Sequence, residues 1–340
     1  NSTITNGANQ MAATLWTGTG SSALITNTVN GVSFQPDLVW VKARSAAYDH
    51  QLTDSVRGAN KELQSNATNA EQNYGTVTAF NSNGFTVGTG ASSNQNGITY
   101  VDWNWKAGGA AVTNTAGSRT SLVSANPSAG FSIVTYNGNG VNGATVGHGL
   151  GVAPSWIILK NTSSTQAWTV GTASPGGWDR YMTLNTTAAA VIDSTVWNTT
   201  NPTSSVFTLG TSLRVNGNGG SYVAYCFAAV QGYSAFGSYI GNFSTDGTFV
   251  HLGFRPRFLM IKTSSSTDDW VMIDTSRATY NVAQYSLSAN TSAAESSPSY
   301  LDILSNGFKI RQTYSQVNAS GTTYIYAAFA ENPFKLALAR

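Results

Sequence analysis

A chain of 340 residues with only 9% charged residues and a net charge of +2 lacks the basic field that binding to nucleic acid or an acidic membrane draws on. Its hydrophobic share of 41% and aromatic share of 11% supply real cores and exclude a disordered low-complexity chain. Three scattered histidines (His50, His148, His251) and the single Cys226 exclude a zinc site built from His/Cys clusters and any disulfide within the chain, and no cofactor is implied.

In chain order the elements come in three rounds. The first round opens on Thr14–Gly18, an aromatic-bearing strand that runs into glycine. Pro36 then starts the apolar run Leu38–Val41, which ends at Lys42. Proline lacks an N–H and suits the first residue of a strand, and the unbroken apolar run after it reads as a strand buried on both faces. The lysine is read as a solvated strand terminus. Asp54-Ser55-Val56-Arg57 follows, then Asn83-Gly84 as a hairpin turn, then Gly97-Ile98-Thr99-Tyr100 leading into a strand in which Val101, Trp103 and Trp105 point one way. The stretch 113–129, rich in Ser, Thr and Ala, reads as a connector.

The second round repeats the pattern with Val134–Gly138, Pro154 to Lys160, and Gly219-Gly220-Ser221-Tyr222. It keeps the strand Ser205–Leu209 without the Asn-Gly turn, and carries Asp179-Arg180 in about the place of the first acid–arginine pair. The third has Gly237–Gly241, Pro256 to Lys262, Asp274-Thr275-Ser276-Arg277, Asn306-Gly307 and Gly321-Thr322-Thr323-Tyr324. The only helical candidates are the short stretches Asn60–Gln64 and Thr187–Ile192. The pattern predicts an all-β chain of three tandem β-sandwich-like (jelly-roll-like) repeats of about 100 residues. Their bounds are 9–112, 130–237 and 238–340, with the connector at 113–129 and the last two units abutting rigidly. No run of 18 apolar residues is present and no signal peptide is read; the chain starts at Asn1, which leaves open whether that start is native, processed or truncated.

Asp54 with Arg57 and Asp274 with Arg277 read as structural ion pairs, because a recurring carboxylate and guanidinium at this spacing suit a bidentate clamp. Glu71 and Glu295 recur nearby. A glycosidase pair of Asp54 and Glu71 is weighed against them and set aside, since an active site is usually unique. No catalytic or metal-ligating residue is assigned. Cys226, between Tyr225 and Phe227, reads as a small strand residue, and His148 and His251 read as turn residues. Trp168, Trp178 and Trp197 gather where the repeat pattern is weakest; each is core or inter-unit packing, or else together they form a surface that stacks on sugar rings.

Several runs carry a resemblance: Phe34–Lys42, Asp54–Gly58, Phe80–Phe85, Trp103–Gly109, Gly130–Tyr136, Val146–Gly151 and Phe329–Lys335. With these the chain resembles a family of repeats in structural proteins of tailed, especially marine, bacteriophages. The resemblance implies a non-enzymatic virion component, a tail fibre, tail tip or capsid-associated appendage outside the particle. Partners would be other virion proteins, further copies of the chain (a trimer among the options) and a host-surface glycan. Two other readings stay open: a virion-borne or secreted polysaccharide hydrolase, and a bacterial surface filament or adhesin subunit.

Overall fold

Gly97, Gly219 and Gly321 lie at φ +78°, +75° and +69°, with nothing within 4 Å of where a Cβ would stand. The requirement is therefore conformational rather than spatial, a left-handed turn that an L side chain resists. In the computed structural model, which describes residue 4, residues 9–29 and residues 31–331, each of these turns launches the strand at the middle of a sheet. Thr99–Trp105 runs between Met11–Thr17 and Leu38–Ala43, Ser221–Phe227 between Phe131–Asn137 and Trp156–Asn161, and Thr323–Ala330 between Ser234–Ile240 and Pro256–Thr263. An outer strand follows in each: Gln51–Asp54, Thr169–Thr172 and Val271–Asp274. All of these strand pairings are antiparallel. A smaller sheet covers the other face of each, built on Gly84–Val87, Val206–Leu209 and Gly307–Ile310. The fold is all-β, as the alternation predicts.

Helix is confined, among the described residues, to four single turns: Ala91–Asn94, Ser194–Trp197, Leu213–Asn216 and Ser315–Asn318. Neither helix expected from sequence forms. Asn60–Gln64 instead bridges Leu52 and Gln72 through Leu63 and Glu62, and Thr187–Ile192 ends in the short strand Val191–Ile192. A turn or two of helix without caps does not offset its nucleation cost. Three of the turns that do form belong to the glycine motif. Tyr100, Tyr222 and Tyr324 each accept a backbone N–H and donate to a carbonyl of the preceding helical turn. Asn94, Asn216 and Asn318, three residues before each glycine, are fully buried and bridge two carbonyls through the side-chain amide.

The middle strands sort their side chains by parity. Tyr100, Tyr222 and Tyr324 face their own sandwich interiors and stack on Trp16, Tyr136 and Tyr239 at 5.4, 5.1 and 5.0 Å. Val101, Trp103 and Trp105 with their counterparts Val223, Tyr225, Phe227, Ile325, Ala327 and Phe329 point the other way, into one cluster shared by all three sheets. Trp105, Phe227 and Phe329 meet there pairwise, with centroids 6.1, 5.6 and 5.6 Å apart. The sheets thus close a ring around an aromatic centre. Trp168 Nε1 donates to Gln64 O (2.7 Å), Trp270 Nε1 to Thr183 O (3.1 Å) and His50 Nε2 reaches Ser288 O (3.0 Å), one bond for each seam.

Two expectations change. The 113–129 stretch is no loose connector: Val112–Asn114 and Ser121–Asn126 add to the edge at Phe131–Asn137 and make that sheet six-stranded. An exposed strand edge carries unpaired backbone groups, and these two strands satisfy them. The hairpins at Asn83-Gly84 and Asn306-Gly307 form one residue earlier, with Asn81 opposite Gly84 and Leu304 opposite Gly307. The glycines serve close approach instead. A Cβ on either would lie 2.0 Å from a carbonyl oxygen of the adjacent strand, Ile25 or Val250. The 332–340 end of the third stretch lies outside the described residues.

Candidate functional site

The acid–arginine pairs sit at two seams of the ring. Asp54 ends its strand fully buried. Its Oδ1 accepts the N–H groups of Val56 and Arg57, and its Oδ2 accepts Arg57 Nε (2.5 Å) and the Tyr225 hydroxyl (2.9 Å) of the next sheet. Arg57 Nη1 reaches Glu71 at 3.0 Å and Nη2 reaches Leu52 O and the Tyr225 hydroxyl. Burial is the largest single influence on Arg57 and lowers its pKa; the Asp54 charge and hydrogen bond, with Tyr225 and Glu71, together outweigh it and hold the guanidinium above its ordinary value. Burial pushes the Tyr225 phenol well up, so it remains a neutral hydroxyl.

The second clamp repeats this geometry against a different aromatic. Arg277 Nε donates to Asp274 Oδ2 at 2.6 Å, Nη1 to Glu295 at 3.1 Å and Nη2 to Met272 O. Trp103 of the first sheet donates its Nε1–H to Asp274 Oδ2 (3.0 Å) and places its ring under the Arg277 guanidinium at 5.5 Å. Glu295 also takes a bidentate pair from Arg44 across the same seam, at 2.8 and 3.0 Å.

Asp179 and Arg180 are not the third clamp. They pair with each other at 2.8 Å, each about one-third exposed. The register position of Asp54 and Asp274 is taken by Thr172, opposite Trp156 as those acids are opposite Leu38 and Phe258. Spacing along the chain misplaced the pair because the loop after Thr172 has its own path.

The three candidate tryptophans do not form a surface. Trp168, Trp178 and Trp197 are 0%, 3% and 1% exposed and belong to two separate cores. Trp168 closes a seam, as described. Trp178 and Trp197 meet edge to face at 5.2 Å over Gly171, where a Cβ would lie 2.3 Å from the Trp178 ring. Their aromatic bulk is used in packing, which leaves no ring face for a sugar.

Lys42, Lys160 and Lys262 overturn the reading of a solvated terminus: all three are 0% exposed. Each ammonium donates to the next residue's carbonyl at 2.7 Å, and Lys262 also to Thr187 O across a seam. Burial brings each pKa down to about 8. The signal was present in the sequence, since the three occupy one register position behind buried apolar runs. His50 accepts Trp40 Nε1–H on Nδ1 (2.9 Å), so Nε2 carries the proton toward Ser288. Burial, with the Lys42 charge adding to it, lowers the His50 pKa well below the usual range. His148 is buried and bonded to Thr203 O and Leu150 N, whereas His251 is exposed on a strand. Cys226 is buried, and burial raises its thiol pKa, consistent with an inert strand residue.

A polar cleft of about 550 Å³ opens beside the first clamp, walled by Arg57, Lys61, Glu71, Arg119, Thr162 and Ser221. Lys61 pairs with Glu71 at 3.0 Å and Arg119 Nε donates to Asn137 O. The two acids once considered a hydrolytic pair are here bridged by one guanidinium, and the Asp54 oxygens are all accepting. The arrangement ties one sheet to the next.

Fold and site together define an all-β protein whose recurrent ion pairs join its sheets. The chain belongs to the family described as a domain of unknown function, DUF7483, which matches residues 6–333. No curated protein and no solved structure matches it.

Proposed function

We propose that the protein is a non-enzymatic structural component of a bacteriophage virion, a tail fibre, tail tip or capsid-associated appendage, exposed on the particle and touching host-surface glycan. The virion assignment rests on the motifs that resemble phage structural repeats. The observation that supports a building role is the use of Asp54, Arg57, Asp274 and Arg277: each links one sheet to the next through Tyr225 or Trp103. A scaffold of this kind draws its rigidity from a shared aromatic centre and buried clamps rather than from disulfides. Labelled antibody on imaged particles should mark an external appendage, and particles without label would overturn the assignment. Cleavage of capsular glycan that is lost in Asp54→Ala or Glu71→Ala would overturn the non-enzymatic reading.

A further inference from the structure

Between its clamp arginine and the next paired leucine, the third round of the chain is longer than the first. Five residues separate Arg57 from Leu63, which bridges Leu52; nine separate Arg277 from Leu287, which pairs with Met272 at the equivalent place. Insertions of this kind fall on loops, where a repeated scaffold acquires local function. The inserted loop carries Tyr280, which is 84% exposed, the highest exposure among the large apolar side chains described. It is held in place from behind: Asn281 donates its amide to Ile303 O (2.9 Å) and accepts Ile303 N–H (2.8 Å), and Ala283 N bonds Leu301 O.

The loop borders a cleft of about 420 Å³ with Thr279, Gln284, Tyr285 and Ser299 on its walls. Tyr285 is steadied by Arg44, 5.8 Å from its ring centre. At the base, the Arg277 charge is answered by Asp274 and Glu295, so the cleft offers no free ionic group to a ligand. An aromatic ring open to water, with a second ring and amide and hydroxyl groups on the walls of the same cleft, suits a pyranose: its C–H face stacks while its hydroxyls exchange hydrogen bonds. The volume is that of a small-molecule site rather than of a protein interface.

We infer that this cleft binds a neutral saccharide, with Tyr280 as the stacking platform. The inference rests on the proposed contact with glycan and names its place, which is not the tryptophan-rich stretch. The test is a printed array of neutral and anionic oligosaccharides, followed by calorimetric titration with the strongest neutral binder. Neutral glycans should bind, Tyr280→Ala should weaken them by about tenfold or more, and Tyr280→Phe should keep them within about twofold, because the ring face persists. Tyr74→Ala, a half-exposed tyrosine elsewhere, should change nothing. No binding at millimolar glycan, binding of anionic glycans alone, or undiminished binding by Tyr280→Ala would each overturn it. Particle labelling stands apart from these outcomes: label without binding removes only the saccharide site, and Tyr280-dependent binding without label removes only the virion assignment.

Discussion

Two seams of the ring carry a buried acid and arginine joined to an aromatic donor of the neighbouring sheet; the third has no such clamp, and its aromatic donor, Trp270, bonds a backbone carbonyl instead. Where Asp54 and Arg57 meet Tyr225, and Asp274 and Arg277 meet Trp103, the second sheet has Thr172 at the register position of the acids, and the third has Ala327 at the strand position of Trp103 and Tyr225. That seam is held by other means: Trp270 against Trp156 at 6.2 Å, and a hydroxyl contact between Ser174 and Ser238. The elements are absent together, and the physics explains why. A buried carboxylate that loses its guanidinium, or a pair that loses its donor, leaves an unanswered charge, whereas a seam with no charge at all can simply pack.

The comparison breaks most sharply at Arg277. Its replacement by leucine strands buried Asp274 and should cost about 3–5 kcal/mol in urea denaturation, while replacing Asp274 and Arg277 together by apolar residues should cost less than the single change. A double variant weaker than Arg277→Leu would refute the argument. Tyr225→Phe removes the hydroxyl between Asp54 and Arg57 and should cost about 1–3 kcal/mol, with the fold intact by circular dichroism.

Titration sharpens the contrast between buried charges with and without a counter-ion. Lys42, Lys160 and Lys262 have folded pKa values of about 8 against about 10.4 unfolded. Between those values the unfolded chain holds more protons, so their contribution to stability should rise with pH from about 8 to about 10.4. The melting temperature of Lys160→Met should lack part of that rise. Asp102 behaves in the opposite sense. It is fully buried, an Asn104 amide donates to it at 2.6 Å, and burial raises its pKa well above the usual range. Stability from this group is complete below about pH 3.9 and is lost as pH climbs through the folded value; Asp102→Asn should remove that loss. The smallest effect belongs to the exposed pair: Asp179→Asn should leave the melting temperature unchanged.

Much of the fold was legible because strand geometry is local. Alternation alone put Val101, Trp103 and Trp105 on one face, and the left-handed glycine turn marked the start of each middle strand. The clamps were legible for the same reason: only two residues separate Asp54 from Arg57 and Asp274 from Arg277, close enough to pair within one turn. What failed required knowledge of the neighbour. Trp168, Trp178 and Trp197 were candidates for a surface because sequence does not say which faces another sheet will cover. The misplaced Asp179–Arg180 pair shows that chain distance is a poor ruler across loops of different length.

The sequence by itself determined the all-β class, the parity of each middle strand and the two local pairs Asp54–Arg57 and Asp274–Arg277, since these depend on backbone periodicity and short-range reach. Only the tertiary structure decided that the three sheets close on Trp105, Phe227 and Phe329, that Lys42, Lys160 and Lys262 lie inside, and that Tyr280 remains in the open. Burial is a property of what packs against a residue, and that partner lies up to hundreds of positions away along the chain.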